Sequence, residues 1–101
     1  MPELDAVSVV IPTRGRADEL CRAVMSALGQ SRSPLEVVVV IDGTEPETRE
    51  CLAAMQDDRI RVIETGSLAG PQAARNAGIR ATRGDWVALL DDDDEWKPDK
   101  L

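Results

Sequence analysis

The chain has 101 residues and carries 19 acidic against 12 basic side chains, a formal net charge of −7. That length suits one apolar core rather than two, and that charge excludes sequence-independent attraction to a nucleic-acid backbone or an anionic membrane. With no Phe or Tyr, and Trp86 and Trp96 as the whole aromatic content, the core must be built from Val, Ile, Leu, Ala and Met.

Met1 to Ala6 carries acids where a secretory leader would carry bases. The longest strongly apolar run, Val37 to Ile41, is far below membrane-spanning length. The expectation is a cytoplasmic protein that meets a membrane only through missing parts of its parent. Val7 to Ile11 is a β-branched run closed by Pro12, as in a strand buried on both faces, and Thr13 to Arg16 forms a turn around Gly15. From Ala17 to Gln30 the residues Leu20, Val24, Ala27 and Leu28 recur at helical spacing, with Cys21 and Met25 widening the stripe.

Ser31 to Pro34 is a polar break, after which Leu35 to Ile41 (LEVVVVI) reads as a second buried strand ending at Asp42 and Gly43. Thr44 and Glu47 have capping-box spacing and Pro46 suits a first turn, which predicts a helix from Glu45 to Gln56 with Leu52 and Met55 inward. Ile60 to Glu64 alternates like a less deeply buried strand, and Thr65 to Gly70 is a loop. Pro71 opens a third helix with Ala73, Ala74, Ala77 and Ala81 as a small-residue face, and Gly84 stops it. Trp86 to Leu90 is a fourth apolar strand, read as buried, that runs into the acidic stretch Asp91 to Glu95, and Lys97 to Leu101 opens another helix. Cys21 and Cys51 have no further Cys or any His beside them, which excludes zinc and CxxC patterns. They are read as buried reduced thiols, part of the core with the methionines, while Trp96 packs beneath the last loop.

This β-α-β-α-β-α-β alternation, in one unit over residues 1–101, predicts an α/β fold with a doubly wound, mostly parallel sheet in three α/β/α layers. In such Rossmann-like sheets ligands bind outside the carboxyl ends of the strands, where the strand order reverses. Pro12 to Arg16, Asp42 to Thr44 and Asp91 to Glu95 should therefore converge on one crevice, bordered by Gly66 to Gly70. Arginines at 14 and 16 would lie on one side and carboxylates on the other. Such a crevice suits a hard divalent cation bridging carboxylates and a diphosphate. The bland alternative for the acidic run is a solvated loop. A calcium EF-hand is excluded because Trp96 stands where that loop requires Gly.

VSVVIPTRGR (Val7 to Arg16), VVVVIDGT (Val37 to Thr44), GPQAARNAGI (Gly70 to Ile79) and GDWVALLDDDDEWKPDKL (Gly84 to Leu101) together resemble, in order, the motifs of the family 2 glycosyltransferases, which have the GT-A fold. The resemblance implies a metal-dependent glycosyltransferase that binds a nucleotide-diphosphate sugar, with a UDP-sugar favoured. Asp42 would accept from the N3 proton of uracil, and Pro12, Thr13 and Arg14 would line base and ribose. Arg75 of the Ala-Arg-Asn signature would face the diphosphate. The DXD element maps onto Asp91, Asp92 and Asp93, with Asp93 the direct ligand of Mn²⁺ or Mg²⁺, and Asp91 and Asp92 near ribose, sugar or metal-bound water. The implied chemistry is direct displacement with inversion, the metal stabilising the departing diphosphate.

The family's general base lies beyond Leu101, so no catalytic residue is assignable here. The acceptor stays open among saccharide, lipid-linked and protein hydroxyls. Ile41 and Thr44 depart from the usual acid-acid-Gly-Ser signature, and Arg14 stands where an aromatic residue is common. A sugar nucleotidyltransferase would carry a Gly-rich basic first loop, of which Thr13 to Arg16 is a faint echo. A phospho-receiver would carry paired acids where this chain has Pro-Thr-Arg, and a non-catalytic binding module remains the other alternative.

Overall fold

A computed structural model describes residues 6–66 and 70–101. Its elements follow in the order β1 (Val7–Thr13), α1 (Ala17–Leu28), β2 (Glu36–Ile41), α2 (Pro46–Ala54), β3 (Ile60–Glu64), α3 (Pro71–Ala81) and β4 (Trp86–Leu89). All strand pairs are parallel and the spatial order is β3-β2-β1-β4, the expected doubly wound α/β arrangement. The chain winds outward from β1 to β3, then crosses back to lay β4 on the far side of β1, so the order reverses between β1 and β4.

Successive strand residues face opposite sides, and both sides are covered. Val9, Ile11, Val37, Val39 and Ile41 pack with Leu20, Ala23, Val24 and Ala27 of α1 and Leu52 of α2. Val10, Val38 and Val40 pack on the other face with Ala74 of α3. The unbroken run of β2 follows from this, because neither of its faces meets water.

The contact of α3 is closer than its alanines alone would set. A Cβ built on Gly78 would lie 2.5 Å from Val10 Cγ1 and 2.8 Å from Val40 Cγ2, so the helix backbone sits against the strands at Gly78 as well as at Ala74. Gly78→Val should force α3 off the sheet and cost about 2–3 kcal/mol, read as a lowered urea midpoint at unchanged slope. A midpoint equal to that of the unaltered chain would show that the helix is not held at this distance. Gly84, expected to stop α3, does something else. The helix ends at Ala81 with Thr82 as its cap, and a Cβ at Gly84 would fall 2.7 Å from the Ala6 carbonyl oxygen and 2.7 Å from Ser8 Oγ.

The amino-terminal rim of the sheet holds a charged network that no sequence motif announced. Glu36, the first residue of β2, is fully buried. It accepts from Ser8 Oγ (2.7 Å) and the Arg83 backbone N–H (2.6 Å) at Oε2, and from Arg61 (2.6 Å) and Arg83 Nε (3.2 Å) at Oε1. One carboxylate thus ties β1, β2, β3 and the approach to β4. Burial opposes its charge, but the hydrogen bonds from Ser8, Arg61 and Arg83 and the Arg61 charge outweigh it, holding Glu36 at about 2 against 4.5.

Several expectations are corrected. β4 is an edge strand rather than a buried one, with Trp86 62%, Val87 39% and Leu89 47% exposed, because only β1 pairs with it among the described residues. Met25 lies on the outer side of α1, exposed and outside the core, since the buried stripe is Leu20, Ala23, Val24 and Ala27. The Thr44–Glu47 capping box does not form. Glu45 is the N-cap of α2, without a side-chain cap bond, and its carboxylate accepts from Thr48 Oγ1 at 2.9 Å and the Gly15 N–H at 2.6 Å.

Lys97 to Leu101 is a turn rather than a helix. It is tied to α1 and its end by Gln30 Nε2 donating to the Lys97 carbonyl (2.7 Å), Ser31 N–H to the Pro98 carbonyl (2.7 Å) and Leu101 N–H to Gln30 Oε1 (2.9 Å). Cys21 and Cys51 are half-buried and joined as a disulfide, their Cα atoms 6.9 Å apart. Sequence spacing could not show that α1 and α2 pack side by side on one face of the sheet and bring them together. The expected loop Thr65 to Gly70 lies partly outside the described residues.

Candidate functional site

The site begins with Pro12. The Leu90 N–H donates to the Val10 carbonyl at 3.0 Å, the last ladder bond between β1 and the end of β4. Two residues on, along the same edge of β1, Pro12 offers no N–H, and β4 has already ended. On the opposite edge β1 and β2 stay paired to Thr13 and Ile41. The sheet therefore opens at its carboxyl rim between β1 and β4, at the point of order reversal.

A cleft of about 400 Å³ lies over this opening, lined by Pro12, Thr13, Arg14, Arg16, Asp42, Pro71, Ala74, Arg75, Asp91, Asp92 and Asp93. Every residue singled out in the sequence for donor or metal contact borders it: Pro12, Thr13, Arg14, Asp42, Arg75, Asp91, Asp92 and Asp93. Arg16, Pro71 and Ala74 complete the lining. The arrangement of Pro71, Ala74 and Arg75 places the first turns of α3 along one wall. Asn76 is exposed and not part of that wall, and Trp96 packs against the α1 side of the core, its backbone N–H donating to Ser26 Oγ at 3.0 Å.

Asp42 is buried to 4% exposure just past β2. Its Oδ1 accepts from Thr65 Oγ1 and its Oδ2 from the Gly70 N–H, both at 3.1 Å. The carboxylate thus ties the end of β2 to both ends of the connection between β3 and α3.

The acidic run divides by burial. Asp92 is turned inward at 9% exposure, accepting from Thr13 Oγ1 at 2.9 Å. Asp91, Asp93 and Asp94 are exposed, and one carboxylate oxygen from each lies within 4.8 Å of the others. Three hard oxygen donors at that spacing are the set a divalent cation takes, together with water and phosphate oxygens. Asp94 was not among the expected ligands, and its proximity to Asp91 and Asp93 depends on the turn closed by Asp94 N–H donating to the Asp91 carbonyl at 3.1 Å.

The positive side of the cleft is not separate from the negative one, as the sequence reading had it. Arg16 NH1 lies 3.2 Å from Asp93 Oδ2 and 3.5 Å from Asp92 Oδ1, bridging the turn after β1 to the acidic run. That turn is held from below by the Glu45 bond to the Gly15 N–H, with Gly15 at a φ of 68° that a side chain rarely adopts. The place of Arg16 at a strand-end turn put it at the crevice, but its partners are 76 and 77 positions away and carry no sequence signal.

Comparison with known proteins bears on this cleft. The sequence pattern of glycosyl transferase family 2 matches residues 8–101. The succinoglycan biosynthesis protein ExoO of Rhizobium meliloti is 45% identical over 95 residues, covering 94% of this chain and 27% of ExoO. Among solved structures, S. aureus TarS 1-349 in complex with UDP superposes with a TM-score of 0.83 at 24% identity, over 93% of this chain and 29% of that one. A mannosyltransferase from Pyrobaculum calidifontis, PcManGT in complex with GDP-Man and Mn²⁺, superposes with a TM-score of 0.78 at 25% identity, over 91% and 28%. The chain spans about a quarter to a third of the length of these relatives. With a GT-A sheet and a family pattern that runs through each strand and each wall of the cleft, the chain belongs to glycosyl transferase family 2.

Proposed function

We propose that this chain is the donor-binding part of a glycosyltransferase, holding a nucleotide-diphosphate sugar, a UDP-sugar by preference, for inverting transfer to an acceptor hydroxyl. The observation that carries this reading is one cleft lined both by Asp42 and by the Asp91–Asp93 run. A base at Asp42 and a diphosphate beside the acidic run would span it. Support comes from the UDP and GDP-Man complexes of the structural relatives.

In this reading Asp42 accepts from uracil N3, already oriented by Thr65 and Gly70. Pro12 and Thr13 line base and ribose, Arg14 offers a flat guanidinium for stacking, and Arg75 meets phosphate oxygens from α3. Asp92, anchored to Thr13 Oγ1, faces ribose or sugar. Asp93 and Asp91, with Asp94 beside them, would hold Mn²⁺ or Mg²⁺, as their carboxylate spacing allows. The cation, when bound, stabilises the negative charge that develops on the departing diphosphate. The general base and the acceptor site are assigned to sequence outside this chain, and the acceptor to a saccharide, lipid-linked or protein hydroxyl.

No helix among the described residues is long and apolar enough to cross a membrane, and a cytoplasmic location is part of the proposal. In a reducing compartment Cys21 and Cys51 would be held as thiols.

Asp42→Asn tests base recognition. The amide turns one acceptor into a donor facing the uracil N3–H, so the dissociation constant for UDP in the presence of Mn²⁺ should rise at least about tenfold, the size of a lost charge-assisted bond. Calorimetric titration reads it. An unchanged constant would remove Asp42 from the binding site.

A further inference from the structure

The Arg16 bridge carries an inference that rests on the donor-site reading and goes beyond it. Arg16 reaches into the acidic run, 3.2 Å from Asp93 of the proposed metal set and 3.5 Å from its neighbour Asp92. Consecutive acids at positions 91–95 repel one another, and a guanidinium between two of them offsets part of that repulsion. The contact is open to exchange, because the Arg16 side chain is 49% and that of Asp93 54% exposed. Exposed pairs of this kind are held weakly.

We propose that Arg16 is an exchangeable counter-cation: it occupies Asp93 while the cleft is empty, yields that carboxylate to the divalent cation, and then partners the diphosphate. The electrostatics require the exchange. A divalent ion on Asp93 places two positive charges where the guanidinium sat and repels it. The diphosphate enters the same cleft that Arg16 lines, with two or more negative charges, and becomes the nearest partner for the released side chain. Arg16 is anchored for this movement at its backbone. Its carbonyl accepts from the Leu20 N–H at 2.8 Å at the start of α1, and the adjacent Gly15 is pinned to Glu45, so only the side chain need swing.

The consequence is a sign reversal between two affinities that a merely structural residue would not produce. Arg16→Gln removes the competing charge and keeps a polar side chain at an exposed position. Binding of Mn²⁺ alone, followed by the electron paramagnetic resonance signal of free Mn²⁺, should tighten about three- to tenfold. Binding of UDP at saturating Mn²⁺, followed by calorimetry on the same protein, should weaken by about three- to tenfold. Arg16→Lys keeps the charge and should bind Mn²⁺ alone as the unaltered chain does. Thermal melts of each variant without ligand establish that both are folded.

Opposite shifts in Arg16→Gln support the exchange. Two affinities that move together, an unchanged UDP affinity, or Mn²⁺ binding that is unchanged or weaker in Arg16→Gln overturns it while leaving the donor site standing. Failure of the unaltered chain and both variants to bind Mn²⁺ at all would overturn the donor-site reading, and this inference with it.

Discussion

On the donor-site proposal, UDP with Mn²⁺ should stabilise the chain thermally, and Asp93→Ala is expected to abolish that stabilisation. A ligand that binds only the folded state, at about a hundred times its dissociation constant, adds roughly 2.7 kcal/mol. For a domain of this size that is a rise in melting temperature of roughly 10–20 °C. Asp93 is exposed and its pairing with Arg16 is a surface contact, so the substitution itself should move the ligand-free melt by no more than a few degrees. The loss of response is thus separable from loss of fold. Asp93 is also one of the exposed carboxylates grouped with Asp91 and Asp94, and the one the proposal takes as the direct metal ligand. A ligand-induced rise in Asp93→Ala equal to that of the unaltered chain would remove Asp93 from the proposed metal set.

Glu36→Gln should lower stability about as much as truncating a buried core residue. Gln presents one oxygen where Glu36 has two, and its amide would face the donors of Ser8, Arg61 or Arg83 with a donor of its own. Removing one partner of a buried charged network costs about 3–5 kcal/mol. Arg61 and Arg83 are partly exposed and can turn to water, which places the expectation at the lower end, about 3 kcal/mol and a fall in melting temperature of roughly 10–20 °C.

The pH dependence gives an independent reading of the same group. The Glu36 carboxyl is held at about 2 in the folded chain against 4.5 otherwise. A lowered carboxyl favours the folded state fully above pH 4.5, and that contribution is lost as pH falls from 4.5 through about 2. The shift corresponds to about 3 kcal/mol at most, and roughly half that once screening at the exposed arginines is allowed for. Asp57, held at about 2 by the Arg59 side chain, its backbone N–H and its charge, titrates in the same window. The informative quantity is therefore the difference between the unaltered chain and Glu36→Gln. The acid loss of stability should be shallower in the variant, and identical slopes or a melt within about 2 °C at neutral pH would dispose of the network as a stabilising element.

The consequences of strand order run through both results. The alternation of strand and helix patterns placed β1, β2 and β3 within a residue or two, and it placed Asp42 and the acidic run at strand ends. It could not say which strands lie at the edges. Trp86 to Leu90 reads as a buried strand because it is apolar, yet its exposed Trp86, Val87 and Leu89 follow from a position beside β1 with no further strand described beyond it. Apolar content reports what a strand can bury, and its neighbours decide what it does bury. Likewise the stripe of α1 was legible, but Met25 lay just outside the angle that the sheet covers.

By itself, then, the sequence determined the class of sheet, the positions of its strand ends and the residue types gathered there. Those properties are written in local periodicity and in the turn residues that interrupt it. Only the tertiary structure decided that Arg16 meets Asp93, that Glu36 of β2 collects donors from β1, β3 and the approach to β4, that Gly78 lets α3 touch Val10 and Val40, and that Cys21 reaches Cys51. Each of these joins segments far apart along the chain. Their meeting is fixed by strand order and helix placement on a shared core, and no local spacing of residues encodes it.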